Sequence, residues 1–332
     1  MRIQLILDPR LPPERLTALG LLAEAEGIRG VWTSSLLGAC DPFVAFAPLA
    51  QASSKLLLGP IAVNPFEAHP TRIAAALLTL NQLSQGRAQI VIGGGAEALA
   101  SLGIAPARRV IAVRECVELL RLAARGKIFD YEGQLYRAQR FGCEWATAKP
   151  PSIWIAANGP QMLAMAAAQA DGIMVSDLPP PVLRSVIHQA NSQRGATLPS
   201  LECSNFVAWH VYPDLTRARD EARRWLAYRG LNRRWVCTTF MSDAEFDLIE
   251  ARMPDFYRYA QGGPPVTGIP DELLDRLVDN LTLTGQPERL EPIVEHLQHL
   301  RDSGLTQVAL RLYQDVEQSI KLIGRTLVPR FT

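Results

Sequence analysis

Short aliphatic runs alternate along this chain with longer segments whose apolar positions recur every three or four residues. The first kind fits buried strands, the second amphipathic helices. Strands are predicted at Ile3 to Leu7, Ile28 to Thr33, Leu56 to Val63, Ala88 to Ile92, Ile153 to Ala157, Gly172 to Ser176, about Phe206 to Tyr212, and Gln307 to Leu312. Helices are predicted over about 13–26, 70–83, 107–125, 287–303 and 316–328, with others starting at Asp41-Pro42, at Pro160 and after Pro179-Pro180-Pro181. Prolines stand in first turns, where a missing N–H costs little. Glycines such as Gly27 and Gly304 follow last turns. Residues 129–145 interrupt the alternation with a small hairpin, and about 213–280 form a mostly helical, arginine-rich insertion. Eight strands, each leading to a helix, imply parallel pairing and an α/β fold. The expected architecture is a (β/α)8 TIM barrel with insertions, one domain over 1–332; a doubly wound open sheet is the alternative.

Composition narrows the function rather than the fold. Of 332 residues, 48 % are hydrophobic, enough for a large core, and the net charge is +1. Neither a basic nucleic-acid footprint nor an acidic tail is present. The first apolar run is only about five residues, shorter than a signal-peptide core, and no run approaches the ~18 of a membrane span. The expectation is a cytoplasmic protein acting on a small molecule, with no nucleic-acid or membrane partner. Cys40, Cys116, Cys143, Cys203 and Cys237 are widely spaced, which favours reduced core thiols over a disulfide framework or a metal site.

In such a barrel the site lies at the carboxyl ends of the strands. That selects Asp8, Thr33, Ser34, Asn64, Gly93 to Glu97, Ala157 to Pro160, Ser176 and His210. Gly93-Gly94-Gly95 is not a dinucleotide fingerprint, because Ala98 stands where the third glycine belongs. The glycines instead let a flat ligand approach the backbone. Ala156-Ala157-Asn158-Gly159-Pro160 leads a strand into a helix whose free N–H groups, at Gln161 and Met162, suit an anion; an ordinary β–α turn is the plainer reading. Glu97 is either a proton donor or a first-turn glutamate favoured by the helix dipole. His69 reads more simply as a cap than as a catalyst, and His210 faces the mouth or lines its wall. Arginines 217, 219, 223, 224, 229, 233 and 234 either attract an anionic tail or form a solvated helix face. Neither G-x-S-x-G nor H-E-x-x-H occurs.

Longer stretches resemble a known family. Leu58 to Pro70 (LGPIAVNPFEAHP), continuing through Ile73 to Arg87 with its T-L-N-x-L-S-x-G-R ending, is similar to strand three and the following helix of luciferase-like flavin and deazaflavin oxidoreductases. Trp154 to Val175 resembles the family's strand-five to strand-six block, and Thr284 to Glu288 with Ser303-Gly304-Leu305 its closing unit. The A-N-G-P-x-M-L block is most similar to the methylene-tetrahydromethanopterin reductase branch, which uses coenzyme F420. Residues 180–280 match weakly. The chain also departs from the pattern: Ile61 replaces a common glycine, Ala68 replaces the arginine before His69-Pro70, Trp32-Thr33-Ser34-Ser35 ends strand two without an acid or histidine, and the acid after the glycines falls at Glu97.

The resemblance implies a strand-three bulge, often with a cis peptide, at Ile61-Ala62 behind the cofactor ring. It places the cofactor along Ile61, Ala62, Val63, Asn64, Gly94 and Gly95, with its phosphate near Ala157, Asn158, Gly159, Pro160 and Ser176. The implied reaction is hydride transfer between F420 and a C=N, C=C or carbonyl carbon, with Glu97 as proton donor and Asp8 and Ser34 as substrate contacts. A flavin mononucleotide (FMN) monooxygenase and a barrel that has lost its cofactor are the competing readings. Relatives of this kind are often homodimers.

Overall fold

Eight parallel strands alternate with helices in the computed structural model, which describes residues 1–95 and 98–331. The strands are β1 (Arg2–Leu7), β2 (Gly30–Ser34), β3 (Leu57–Ile61), β4 (Gln89–Ile92), β5 (Ser152–Ala156), β6 (Gly172–Ser176), β7 (Glu202–Val211) and β8 (Gln307–Leu312). Hydrogen bonding runs in the order β3, β2, β1, β8, β7, β6, β5, β4. Spatial order therefore follows chain order, with β8 against β1. Bridges at Leu58–Ala88 and Val63–Ile92 join β3 to β4 and complete the ring. The molecule is a TIM barrel, and the open sheet is set aside.

The closing seam depends on one glycine. A Cβ on Gly59 would stand 1.6 Å from the Gln89 carbonyl oxygen, so no other residue lets β3 come this close to β4. Between the two bridges the Ile61–Ala62 peptide bond is cis, at the bulge position marked by the family resemblance. Arg87 braces the same seam. Its guanidinium donates to the carbonyls of Ala50, Ser53 and Leu56 and to Ser53 Oγ, at 2.7–3.1 Å. It thus ties the carboxyl end of the helix Ala47–Ala52 to the start of β3.

Side chains alternate between lumen and outer face along each strand. At the amino end, Gln89 donates to Gln4 at 3.2 Å and Gln4 to Gln307 at 3.1 Å. Above them Ile6, Trp32, Ile61, Val91, Trp154, Met174 and Ala309 pack as a cluster separate from the outer core. A lumen filled in this way leaves chemistry to the mouth at the carboxyl ends.

Two excursions border that mouth. The hairpin Phe129–Glu132 and Arg137–Phe141 is held by Glu115, buried on the helix Arg109–Ala123, whose carboxylate accepts from the backbone N–H groups of Gln134, Leu135 and Tyr136 at 2.7–3.0 Å. Tyr136 donates its hydroxyl to the Pro65 carbonyl at 2.8 Å, fastening the hairpin to the loop after β3. Between β7 and β8 run the helices Leu215–Trp225, Asp243–Ala251, Met253–Ala260 and Asp271–Leu281, the first two separated by the 3-10 turns Leu226–Tyr228 and Gly230–Asn232 and the short helix Arg234–Cys237. At the surface Arg219, Arg223 and Arg234 pair with aspartates of these helices, and Arg217 with Asp315 just after β8.

The structure corrects several boundaries. Thr282–Gly285, not predicted as a strand, pairs in parallel with Ala208–Val211. Because β8 already bonds Ala208 and Trp209 on one edge, this strand takes the other edge, which β6 leaves at Phe206. β7 begins at Glu202, earlier than predicted, because its polar first residues pair with β6. The helix expected from 287 starts at Glu291, with Pro292 in its first turn. The helix expected from 107 starts at Arg109, after Arg108 in a left-handed conformation (φ 53°). Among the described residues, no helix is long and apolar enough to cross a membrane.

Candidate active site

Strand alternation carries the lumen-facing positions up to Asp8, Ser34, Gly93, Ala156, Ser176, Phe206 and Arg311 at the mouth. These positions form two unlike halves. On the β3–β5 side the side chains are minimal. A Cβ on Gly93 would stand 3.1 Å from Ala62 Cβ and 3.7 Å from Ala156 Cβ, so Ala62, Gly93 and Ala156 make a continuous floor with no side chain rising from it. Val63 fixes its height: its N–H donates to Val91 and its carbonyl accepts from Gly93, at 2.9 and 2.8 Å. Gly94 faces away, toward Arg109 and Met162, and Gly95 turns the chain with φ 71°.

The flanks of the floor are built by turns. Asn64 is buried, and its side-chain oxygen accepts from the N–H groups of Phe66 and Glu67 at 3.1 Å while its amide donates to Glu67. The amide is committed to this turn, which leaves only the Asn64 backbone for a ligand. His69 caps the helix Pro70–Leu83 by accepting from Thr71 N–H, and its ring meets Tyr136 edge-on. It is a cap, as the sequence favours. At the other flank Ala157 N–H bonds Met174, and Asn158 accepts from Arg233 at 3.4 Å. Gly159 precedes the helix Pro160–Gln169 without a side-chain cap, and a Cβ there would meet nothing within 4 Å. The first-turn N–H groups are therefore approachable by an anion. A groove of about 580 Å3 between Asn158, Leu163, Val186, Trp235 and Thr239 opens beside this turn.

The β7–β8 half is charged and aromatic. Arg311 donates to Asp8 at 3.0 Å, while the second Asp8 oxygen accepts from Arg10 N–H at 2.8 Å. His210, fully buried, stacks on Tyr313 with ring centres 4.7 Å apart. Trp225 covers the other part of Tyr313 at 4.9 Å. From the excursion, Arg229 lies over the Phe206 ring at 4.5 Å. Arg229 and Arg233 flank the buried carboxylate of Asp177 at 3.5 and 3.3 Å. Burial, reinforced by the charges of Arg229 and Arg311, pushes the His210 imidazole down to about 3, so it is neutral at ordinary pH.

Of the residues singled out by sequence, Asp8, Ser34, Ala62, Ala157, Asn158, Gly159 and Ser176 all lie at strand ends around one mouth. Ile61 belongs to the lumen cluster below it. Glu97 lies outside the described residues. Sequence reasoning missed Arg311, Tyr313, Asp177 and the special place of Arg229. A different cavity, of about 680 Å3, opens at the amino ends of the strands near Arg2, Arg121 and Asp171. Its charges are spent on structural pairs, Arg2–Glu202 and Arg121–Asp171, and that face of a barrel serves stability.

Known proteins are similar to this chain over most or all of its length. A 5,10-methylenetetrahydromethanopterin reductase of Archaeoglobus fulgidus is 26 % identical over 319 residues, covering 93 % of each chain. The solved coenzyme F420 dependent tetrahydromethanopterin reductase of Methanopyrus kandleri superposes with a TM-score of 0.83 at 20 % identity, covering 100 % of this chain and 99 % of its own. An F420-dependent secondary alcohol dehydrogenase, solved with an F420–acetone adduct, gives 0.76 at 16 % identity, covering 100 % and 99 %. At such identities the two structures speak for the fold alone. The sequence profile of luciferase-like monooxygenases matches residues 2–307. Spanning more than nine-tenths of the chain, that match shows that this protein is an enzyme of the luciferase-like monooxygenase family.

Proposed function

We propose that this enzyme uses the deazaflavin F420 to move hydride to or from a C=N, C=C or carbonyl carbon of a small molecule. The observation that carries the reading is the floor of Ala62, Gly93 and Ala156, a flat cradle that a single Cβ would fill. The full-length similarity to a reductase supports F420 over FMN. When bound, F420 supplies a hydride-exchanging carbon, C5 of its ring. The residues here fit such a group. Ala62, Val63, Gly93 and the Asn64 backbone would underlie the ring, with Gly94 and Gly95 shaping its edge. Ala157, Asn158, Gly159, Pro160 and Ser176 would hold the phosphate, and the neighbouring groove has room for a tail.

The opposite wall would receive the substrate. Asp8 is 42 % exposed and held by Arg311, so its carboxylate is positioned to orient a polar substrate group, with Ser34 as a second contact. Phe206, Tyr313 and Trp225 exclude water from the space between substrate and floor. Proton donation falls to Glu97 in this reading, because His210 stays neutral and has no accessible surface. Such positioning in a dry site is the protein's main contribution to cofactor chemistry.

Titration of the purified protein with F420 and, separately, with FMN, followed by fluorescence, tests this. Micromolar binding of F420 with weak FMN binding is the expected result. The family's description as monooxygenases favours the second reading, and preference for FMN would replace the proposal with it. Binding of neither would overturn the reading of the floor as a ring cradle.

A further inference from the structure

Two grooves flank the helix Pro160–Gln169, whose first turn stands at the proposed phosphate site. The one beside Asn158 and Trp235 has no charged residue in its lining. The other, of about 880 Å3, runs between this helix and the helix Arg109–Ala123. Gln161, Ala164, Met165 and Ala168 form one wall, at the spacing of a single helix face. The opposite wall carries Arg108, Arg109 and Arg114, and no acidic residue among the described ones lines the groove. In a chain whose net charge is +1, three cations on one groove are a local excess.

The exposed arginines of the excursion are neutralised by aspartates. Those of the groove are not. Arg109 is exposed and makes no side-chain hydrogen bond or ion pair among the described residues. Arg108, also exposed, donates to the uncharged Gln134. Arg114 comes no nearer than 3.7 Å to Glu115 and Glu118. Both carboxylates already serve the hairpin, Glu115 through its backbone and Glu118 through the Tyr131 hydroxyl at 2.6 Å. The groove is also continuous with the floor. A Cβ on Gly94 would stand 3.4 Å from Arg109 Cβ and 3.5 Å from Met162 Cε, so Arg109 sits where the end of β4 meets the first turn of the helix Pro160–Gln169. Arg114 lies five residues further along its own helix, or about 7.5 Å at the usual rise. Cations therefore stand at two heights down the groove, starting beside the phosphate turn. We propose that this groove holds the tail of F420, which continues beyond the phosphate as a chain of γ-linked glutamates with free carboxylates. Room does not choose between the two grooves; charge does. Guanidiniums suit carboxylates, and the apolar wall of Ala164 and Met165 suits the methylenes between them. FMN ends at its phosphate, so these arginines favour F420 over FMN. This rests on the reading of F420 as the cofactor.

The test titrates the full-length protein, followed by fluorescence, with F420 carrying a single glutamate, F420 carrying a longer tail, and FMN. An oligo-γ-glutamate peptide is titrated separately by calorimetry. The longer tail is expected to bind tighter than the shorter. Arg109→Gln and Arg114→Gln should each weaken long-tailed F420 by about threefold, and together by about tenfold, with FMN binding and melting temperature unchanged. Raising the salt to about 0.5 M should remove most of that difference. A double variant that binds long-tailed F420 like the wild type overturns the proposal. An equal loss of FMN assigns the arginines to the phosphate or to the fold and also overturns it. Tight F420 binding indifferent to tail length, with no peptide binding, keeps the cofactor and removes the groove. Arginine-dependent peptide binding in a protein that prefers FMN sustains the groove while removing the cofactor reading, so the two fail separately.

Discussion

Replacing Gly93 by alanine tests the floor directly. The new methyl would stand 3.1 Å from Ala62 Cβ and 3.7 Å from Ala156 Cβ. Gly93 is not at positive φ, so the backbone accepts alanine, and the reduced freedom of the unfolded chain contributes roughly 0.4–1 kcal/mol of stability. That offsets part of an overpacking cost of roughly 1–3 kcal/mol. The variant is therefore expected to fold, with a melting temperature lowered by a few degrees at most. Binding should suffer more. A methyl under a flat ring lifts it by on the order of 1 Å, and such a gap forfeits a quarter to a half of contacts worth ~0.1–0.2 kcal/mol each. Summed over some tens of ring contacts, the loss is roughly 1–3 kcal/mol, or about tenfold to a hundredfold in Kd. Fluorescence titration with F420 measures it, with circular dichroism to confirm folding. Gly93→Val should abolish binding. A folded Gly93→Ala protein with wild-type affinity would refute the placement of the ring on this floor.

Arg87→Met removes four hydrogen bonds that join a helix end to β3, and should cost roughly 2–4 kcal/mol in urea unfolding; a loss under about 1 kcal/mol would contradict the bracing role. Gly59→Ala forces a methyl into the Gln89 carbonyl, and is expected to yield insoluble protein or one destabilised by more than about 4 kcal/mol, which expression and thermal melting would show. His210 titrates near 3 in the folded protein against 6.5 ordinarily. Between those values the unfolded chain binds a proton that the folded one refuses, so stability falls as pH drops below 6.5, by up to about 1.4 kcal/mol per unit. His210→Phe keeps a ring against Tyr313 and should flatten that slope between pH 6.5 and 4; an unchanged slope in urea unfolding assigns it to other groups.

The barrel was legible because its signals are local. Strand runs such as Gln307 to Leu312 and Gly172 to Ser176, and caps such as Asp41 and His69, depend on neighbours a few residues away. Thr282–Gly285 escaped notice because four residues rich in threonine and glycine become a strand only when β7 offers an edge. Of the mouth, the small-residue half could be read from Gly93 and Ala156 at strand ends. The charged half could be read only in part. Period-two alternation from Ala309 points to Arg311, inside the predicted strand, and to Tyr313, one residue past its end. Nothing local separates Arg229 from the six arginines around it; four of those pair at the surface, and only the folded chain sets Arg229 on Phe206. The position of the Ile61–Ala62 bulge came from family resemblance, since no residue there announces it.

The excursion between β7 and β8 is stitched shut at its root. Tyr212 N–H bonds the Gly285 carbonyl at 3.2 Å, and Gln286 donates to Pro213 at 2.9 Å. Entry and exit thus meet at one point on the rim, and the barrel experiences the intervening chain as a closed loop. Closure entropy rises only with the logarithm of loop length. Shortening, lengthening or exchanging the segment between these stitches would therefore cost the scaffold little while replacing Arg229, Arg233 and Trp225 together. An evolving lineage could recast this one cassette with the floor of Ala62, Gly93 and Ala156 on the far side of the barrel left unaltered.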